Sequence, residues 1–155
     1  RRYDLAKVGR YKFNKKLHFN KRIVGHKLSQ DVVDTTTGEV LAEAGTVLTK
    51  EQALDIQNAA VPFVWLQCGE RRVKVLSNMM VDITKHVDIT EEEAKELGVN
   101  ESVFYPVLSQ ILAENSNLDD IKAAIRKNIG DLIPKHITIE DIMASINYNM
   151  HTQHF

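Results

Sequence analysis

The spacing of apolar residues changes once along the chain, and this change constrains the fold more than any other feature. From about residue 23 to residue 76, short runs rich in β-branched residues are broken by turn residues, as in antiparallel hairpins. Beyond about residue 90, apolar residues recur every three or four positions, as on the buried face of a helix. The sequence therefore predicts an α+β fold, with short antiparallel hairpins over about residues 23–87 and a helical second half.

Two hairpins are predicted in the first half. One pairs residues 31–33 with residues 39–43, and Gly38 supplies the positive φ that its turn needs. The other pairs residues 63–67 with residues 72–76. It is expected to bury Trp65, and the alternative is that Trp65 is an exposed anchor for a partner. A last strand is predicted over residues 81–87.

Capping residues mark where helices begin. Thr49 with Gln52, and Thr90 with Glu93, form capping boxes, and Pro106 suits a first helical turn. One helix is expected from Asn117 to just before Pro134. The predicted helices cover about residues 4–17, 49–58, 90–98, 106–112, 117–133 and 138–150.

Charge is distributed unevenly, although the formal net charge of the 155 residues is only −1. Residues 1–27 hold ten lysines and arginines against one aspartate, and the remainder holds ten against twenty acidic residues. The chain is therefore not a uniformly basic nucleic-acid binder. A basic N-terminal arm is expected to join an acidic body.

Cysteine use and hydropathy indicate a cytoplasmic protein. Cys68 is the only cysteine, so an internal disulfide is excluded and a reducing compartment fits. No stretch approaches the roughly 20 apolar residues that cross a bilayer, and the N-terminus lacks the apolar segment of a signal peptide. Because the chain begins with Arg1 rather than Met, we expect it to be a piece of a longer protein.

Residues that could carry catalysis do not form a recognisable constellation. Cys68 could act with a distant histidine in a small hydrolase, but a lone cysteine in a hairpin is more often structural. Neighbouring Asp119 and Asp120 point about 100° apart on a helix and cannot easily share a metal. His151 and His154 lack further ligands. The sequence predicts no catalytic, cofactor-binding or metal site.

The basic arm contains the one candidate binding site. Arg10, Lys12, Lys15 and Lys16 are candidates for contacts with the phosphates of nucleic acid. The alternative is a solvated helix face that pairs with an acidic protein surface.

Both ends of the chain resemble the β subunit of bacterial DNA-dependent RNA polymerase. The runs RYDLAKVGRYKFNKKL at 2–17 and HITIEDIMASINYNM at 136–150 are similar to segments that lead into and out of the lobe of that subunit. The residues between them resemble optional insertions that certain bacterial lineages carry there. This resemblance implies a lobe segment at 1–23, an inserted α+β module at 24–132 and a returning lobe segment at 133–155.

The resemblance also implies a role. The lobe forms part of one jaw of the DNA cleft, whereas the Mg²⁺ that supports nucleotide transfer is held by the β′ subunit, so this chain should hold no cofactor. Expected partners are the β′, α, ω and σ subunits, with DNA and a transcription factor at the insertion as candidates. The alternative is a stand-alone protein- or nucleic-acid-binding module with a basic N-terminal helix.

Overall fold

The computed structural model describes residues 18–134, which divide into two compact units between Asn78 and Met79. Unit 1 is described here over residues 18–78 and unit 2 over residues 79–134. The helices predicted over residues 4–17 and 138–150 lie outside the described part of the chain.

Unit 1 combines two short helices with two small antiparallel sheets. Its elements are α1 (Phe19–Ile23), β1 (Lys27–Leu28), β2 (Val32–Val33), β3 (Val40–Ala42), α2 (Lys50–Asn58), β4 (Phe63–Cys68) and β5 (Arg71–Leu76). One sheet has the strand order β1-β4-β5, and β2 pairs with β3 in the other. The α+β class predicted from the sequence is confirmed.

Both predicted hairpins form, because the residues in each turn favour reversal of the chain. In the β2–β3 turn, the Asp34 carboxylate accepts a hydrogen bond from the Thr36 backbone N–H at 2.8 Å, and Gly38 adopts a φ of +76°. In the β4–β5 turn, Gly69 has a φ of +64°. The second hairpin is tighter than predicted, since its strands extend to Cys68 and Arg71.

The core of unit 1 lies between the helices and one face of the three-stranded sheet. α2 begins at the predicted capping box, where the Thr49 hydroxyl accepts a hydrogen bond from the Gln52 backbone N–H at 3.2 Å. The larger fully or almost fully buried core residues are Phe19, Ile23, Leu28, Leu48, Ile56, Val64 and Leu66. Helix α1 therefore contributes two side chains to this core.

Unit 2 is mainly helical, as predicted. Its elements are β6 (Met80–Val81), a 3₁₀ turn (Ile83–Lys85), α3 (Glu91–Glu96), β7 (Val103–Phe104), α4 (Tyr105–Glu114), α5 (Leu118–Lys127) and α6 (Ile129–Leu132). β6 and β7 form an antiparallel pair. Leu108, Ile125 and Leu132 have no exposed side-chain surface, so unit 2 buries apolar residues of its own.

Two elements of unit 2 differ from the prediction. The strand expected over residues 81–87 is wrong beyond Val81, which belongs to β6. The Asp82 carboxylate accepts hydrogen bonds from the Thr84 backbone N–H and hydroxyl, at 3.0 and 2.8 Å, and starts a 3₁₀ turn. The helix from Asn117 ends early, because the Asn128 side-chain amide donates to the Ala124 carbonyl at 2.8 Å. Ile129 then begins a separate helix.

Of the helices within residues 18–134, none combines the length and the apolar character that crossing a bilayer requires.

Candidate nucleic-acid interface

One face of the three-stranded sheet points away from the core of unit 1. Residues directly opposite each other on paired strands share a face, so the register fixes which side chains lie together. Trp65 is paired with Lys74, and Gln67 is paired with both Lys27 and Arg72. We call this surface the outer sheet face; it comprises Lys27, Phe63, Trp65, Gln67, Arg72, Lys74 and Leu76.

The opposite face of the same strands is buried in the core, and this burial holds the sheet in its orientation. Leu28, Val64, Leu66 and Val75 alternate with the residues of the outer sheet face and are at most 2% exposed. A slip of one residue in the register would exchange the two faces. Burial of the apolar set therefore fixes the position of the basic and aromatic set.

Backbone hydrogen bonds join β1 to its neighbours on both sides. The Ser29 N–H donates to the Trp65 carbonyl at 2.9 Å, and the Leu28 N–H donates to the Thr46 carbonyl at 2.9 Å. Val47 lies opposite Lys27 in an antiparallel bridge and is 57% exposed. Val47 therefore extends the row that contains Lys27, Gln67 and Arg72.

The outer sheet face is basic. Lys27, Arg72 and Lys74 are all exposed, and no aspartate or glutamate occupies a strand position on this face. The Lys74 ammonium lies 4.2 Å from the centroid of the Phe63 ring, a cation–π contact. The face is therefore suited to an anionic partner.

Trp65 lies at the centre of the face and is half-buried, whereas the sequence predicted that it would be buried. The difference arises from the strand period, which places Trp65 on the face opposite Val64 and Leu66. Beside it, the Gln67 amide donates to the Gly69 carbonyl at 2.7 Å and to the Arg71 carbonyl at 3.2 Å. These bonds hold the hairpin turn next to the face.

A buried arginine fixes one end of the sheet. Arg22 of α1 is 5% exposed, and its guanidinium donates to the Leu76 carbonyl of β5 at 2.5 Å. The same guanidinium lies 5.5 Å from the centroid of the Phe19 ring. Arg22 thereby links helix α1 to β5 from the core side.

The binding residues predicted from the sequence lie outside the described part of the chain. Arg10, Lys12, Lys15 and Lys16 precede residue 18, so their role as a nucleic-acid site stays a prediction. The outer sheet face was missed as a unit, although the alternation in residues 63–67 and 72–76 signals its β4 and β5 side chains. No local signal places Lys27 beside them, because β1 and β4 are far apart in sequence.

Cys68 lies at the end of β4, half-buried and packed against the core of unit 1. Burial raises the pKa of its thiol, and the nearby positive charge of Arg71 offsets only part of that increase. A raised pKa keeps the thiol protonated near neutral pH and makes it a poor nucleophile. This environment favours the structural interpretation of Cys68.

Other polar residues considered in the sequence have local structural roles. The Asn117 amide donates to the Asp120 carboxylate at 2.7 Å, and the Asp120 N–H donates to the Asn117 side chain at 2.8 Å, which caps α5. Asp119 is exposed beside it. Among residues 18–134, no group of three or more His, Cys, Asp or Glu side chains is arranged to hold a metal ion.

Unit 2 differs from the outer sheet face in charge. Its described residues include five lysines and arginines against eleven aspartates and glutamates. The Lys122 ammonium donates to the Glu93 carboxylate at 2.8 Å, joining α5 to α3. This bond, with the capping bonds of Thr90, lowers the pKa of Glu93, and it raises the pKa of Lys122.

Comparison with known proteins relates the whole chain to part of a much longer polypeptide. No protein-family model matches it. A protein of Alkaliphilus oremlandii strain OhILAs is 44% identical over 155 residues, which is 99% of this chain and 12% of that protein. Proteins of Clostridium botulinum strain Loch Maree and Clostridium novyi strain NT are 45% and 43% identical over 150 residues, which is 97% of this chain and again 12% of each relative.

All three relatives are named DNA-directed RNA polymerase subunit beta. The chain thus corresponds to a segment of the RNA polymerase β subunit, and the resemblance of its sequence to that subunit is confirmed. Since the similarity runs through nearly the whole chain, these relatives also carry the middle residues. The domain boundaries predicted at residues 23 and 132 stay predictions.

Proposed function

We propose that the protein containing this chain is the β subunit of a DNA-directed RNA polymerase, which synthesises RNA on a DNA template with the β′, α, ω and σ subunits. One observation carries this proposal: relatives with that name are 43–45% identical over 97–99% of the chain. The chain spans 12% of the length of those relatives, so most of the parent protein lies outside it.

Within that enzyme, this segment supplies a surface and no catalytic group. The predicted lobe position supports this role, and so do the local structural roles of Asp82, Asp120 and Cys68. Following the resemblance, we place the catalytic Mg²⁺ in the β′ subunit. Residues 24–132 are proposed to dock a transcription factor.

The test is a deletion in the complete polymerase. Because Phe19 and Ile23 of α1 would lose their core partners if only residues 24–132 were removed, the deletion should span residues 19–132 and be closed with a short flexible linker. We expect the β subunit that carries this deletion to assemble into the polymerase. The assembled enzyme should elongate RNA at a rate within about twofold of the intact enzyme. Its response to at least one added transcription factor should be lost.

Two results would count against this function. If the assembled enzyme could not elongate RNA, the segment would belong to the working cleft. If the intact tagged protein failed to copurify with template-dependent RNA synthesis, the chain would be a stand-alone module instead.

A further inference from the structure

We propose that the outer sheet face of unit 1 binds single-stranded nucleic acid. The proposal stands on the residues of that face and does not depend on the polymerase function proposed above. It also concerns residues different from the basic run at Arg10, Lys12, Lys15 and Lys16.

The cations lie close enough together for one flexible strand to contact more than one of them. Lys27 and Arg72 both pair with Gln67, so their backbones are separated by two strand spacings, or roughly 9–10 Å. Arg72 and Lys74 are alternate residues of β5, about 6.8 Å apart along the strand. A flexible strand of phosphates can follow such a row, with affinity that falls as salt rises.

The aromatic residues supply the second element that single strands require. Trp65 lies on the same face as these cations, between Phe63 and Gln67 along β4 and opposite Lys74 on β5. Unpaired bases stack on aromatic side chains presented by a sheet, whatever the base. Phe63 is 39% exposed and carries the Lys74 ammonium over its ring, which places a positive charge beside the stacking surface.

This combination favours a single strand over the other anionic partners. The bases of a duplex are already stacked on one another, so the Trp65 indole would find none available. An acidic peptide could pair with Lys27 and Arg72 but would give Trp65 no ring to stack on. Only a single strand uses the cations and the aromatic residues together.

Trp65 is the only tryptophan of the chain and therefore reports on its own face. We would titrate the full 155-residue chain with a 12-nucleotide oligothymidylate and follow tryptophan fluorescence. Saturable quenching is expected, together with an affinity that decreases as salt increases. Trp65→Leu removes the stacking surface and should weaken binding about tenfold. Binding by this variant is measured with a labelled oligonucleotide.

The charge is tested with a matched pair of double variants. Lys27→Gln with Arg72→Gln removes two cations from the face, and we expect affinity to fall about tenfold and the salt slope to fall by about 1.4. Lys21→Gln with Lys50→Gln removes two exposed cations from α1 and α2 of the same unit and should change affinity less than about twofold. Thermal unfolding of each variant shows whether it is folded.

A third variant distinguishes the contribution of the basic N-terminal run from that of the outer sheet face. Substitution of Arg10, Lys12, Lys15 and Lys16 by glutamine should leave the quenching of Trp65 in place, even if total affinity falls. If this variant abolished the quenching of Trp65 and the variants of the outer sheet face did not, the proposal would be overturned.

Three other results would also overturn it. In the first, the two double variants weaken oligonucleotide binding equally. In the second, a duplex of the same length binds with equal affinity. In the third, polyglutamate of matched charge displaces the oligonucleotide and quenches Trp65 to the same extent. The last would identify an acidic protein as the occupant. None of them bears on polymerase assembly, so the two proposals can fail separately.

Discussion

Trp65 and Leu66 are neighbours in sequence but lie in opposite environments. Leu66 has no exposed surface and belongs to the core of unit 1, whereas Trp65 is half-buried on the outer sheet face. Side chains alternate along a strand, so the register decides which of two apolar residues is buried. Hydrophobicity alone predicted more burial for Trp65 than the structure shows.

The core position of Leu66 leads to a stability prediction. Leu66→Ala should lower the free energy of unfolding by about 2–5 kcal/mol, because it removes buried apolar atoms and leaves a cavity. Val47→Ala, at a site that is 57% exposed, should change it by less than about 0.5 kcal/mol. Urea unfolding followed by Trp65 fluorescence measures both, and similar values for the two would contradict the assigned core.

The Glu93–Lys122 pair predicts a pH effect in unit 2. Because the pKa of Glu93 is lowered in the folded chain, its stabilisation is complete above its unfolded pKa and is lost as pH falls through the folded pKa. In Lys122→Met, the pKa of Glu93 should move up toward its ordinary value, since the ammonium is the main cause of the shift. An NMR titration of the Glu93 carboxyl carbon tests this, and an unchanged midpoint would mean that the pair does not form in solution.

At the level of elements, features set by adjacent residues were predictable and features set by distant pairing were not. The Thr49 and Thr90 capping boxes and the β4–β5 hairpin all depend on residues a few positions apart, and all were predicted correctly. Two-residue strands such as β1 and β7 have no period of their own and form only where a remote strand pairs with them. The outer sheet face was missed for the same reason, since Lys27 joins it only through such pairing.

Two glycines predict stability changes of opposite sign. Gly69 of the β4–β5 turn has a φ of +64° and open space around its α-carbon, so Gly69→Ala should cost roughly 1 kcal/mol through backbone conformation alone. Gly130 lies in α6 without a positive φ, also in open space, so Gly130→Ala should stabilise by about 0.4–1 kcal/mol. Chemical denaturation of both variants measures these changes. If the free energy of unfolding changed with the same sign in both, the backbone assignments would be contradicted.

At the scale of the whole molecule, each unit has its own buried residues and its own charge. The described part of unit 1 has seven basic and seven acidic residues, whereas that of unit 2 has five and eleven. The basic character of the outer sheet face is therefore a local property that net charge conceals. The contrast predicted between a basic arm and an acidic body concerned the linear sequence, and it did not reveal this face.

Separate cores predict separate responses to a cavity. Leu108→Ala, at a fully buried position of unit 2, should speed amide hydrogen exchange mainly within residues 79–134. The matched change Leu66→Ala should act mainly within residues 18–78. Uniform acceleration across both units in either variant would indicate a single cooperative body.

The position of β5 in its sheet has a further consequence. Among the described strands, β5 is at the edge of the order β1-β4-β5, and three of its six residues are Arg71, Arg72 and Lys74. Edge strands can pair with a strand of another molecule and aggregate, and charged residues on the edge oppose this by mutual repulsion. Arg72 and Lys74, which are proposed to attract an anion, would thus also help to keep two copies of the chain from joining their sheets.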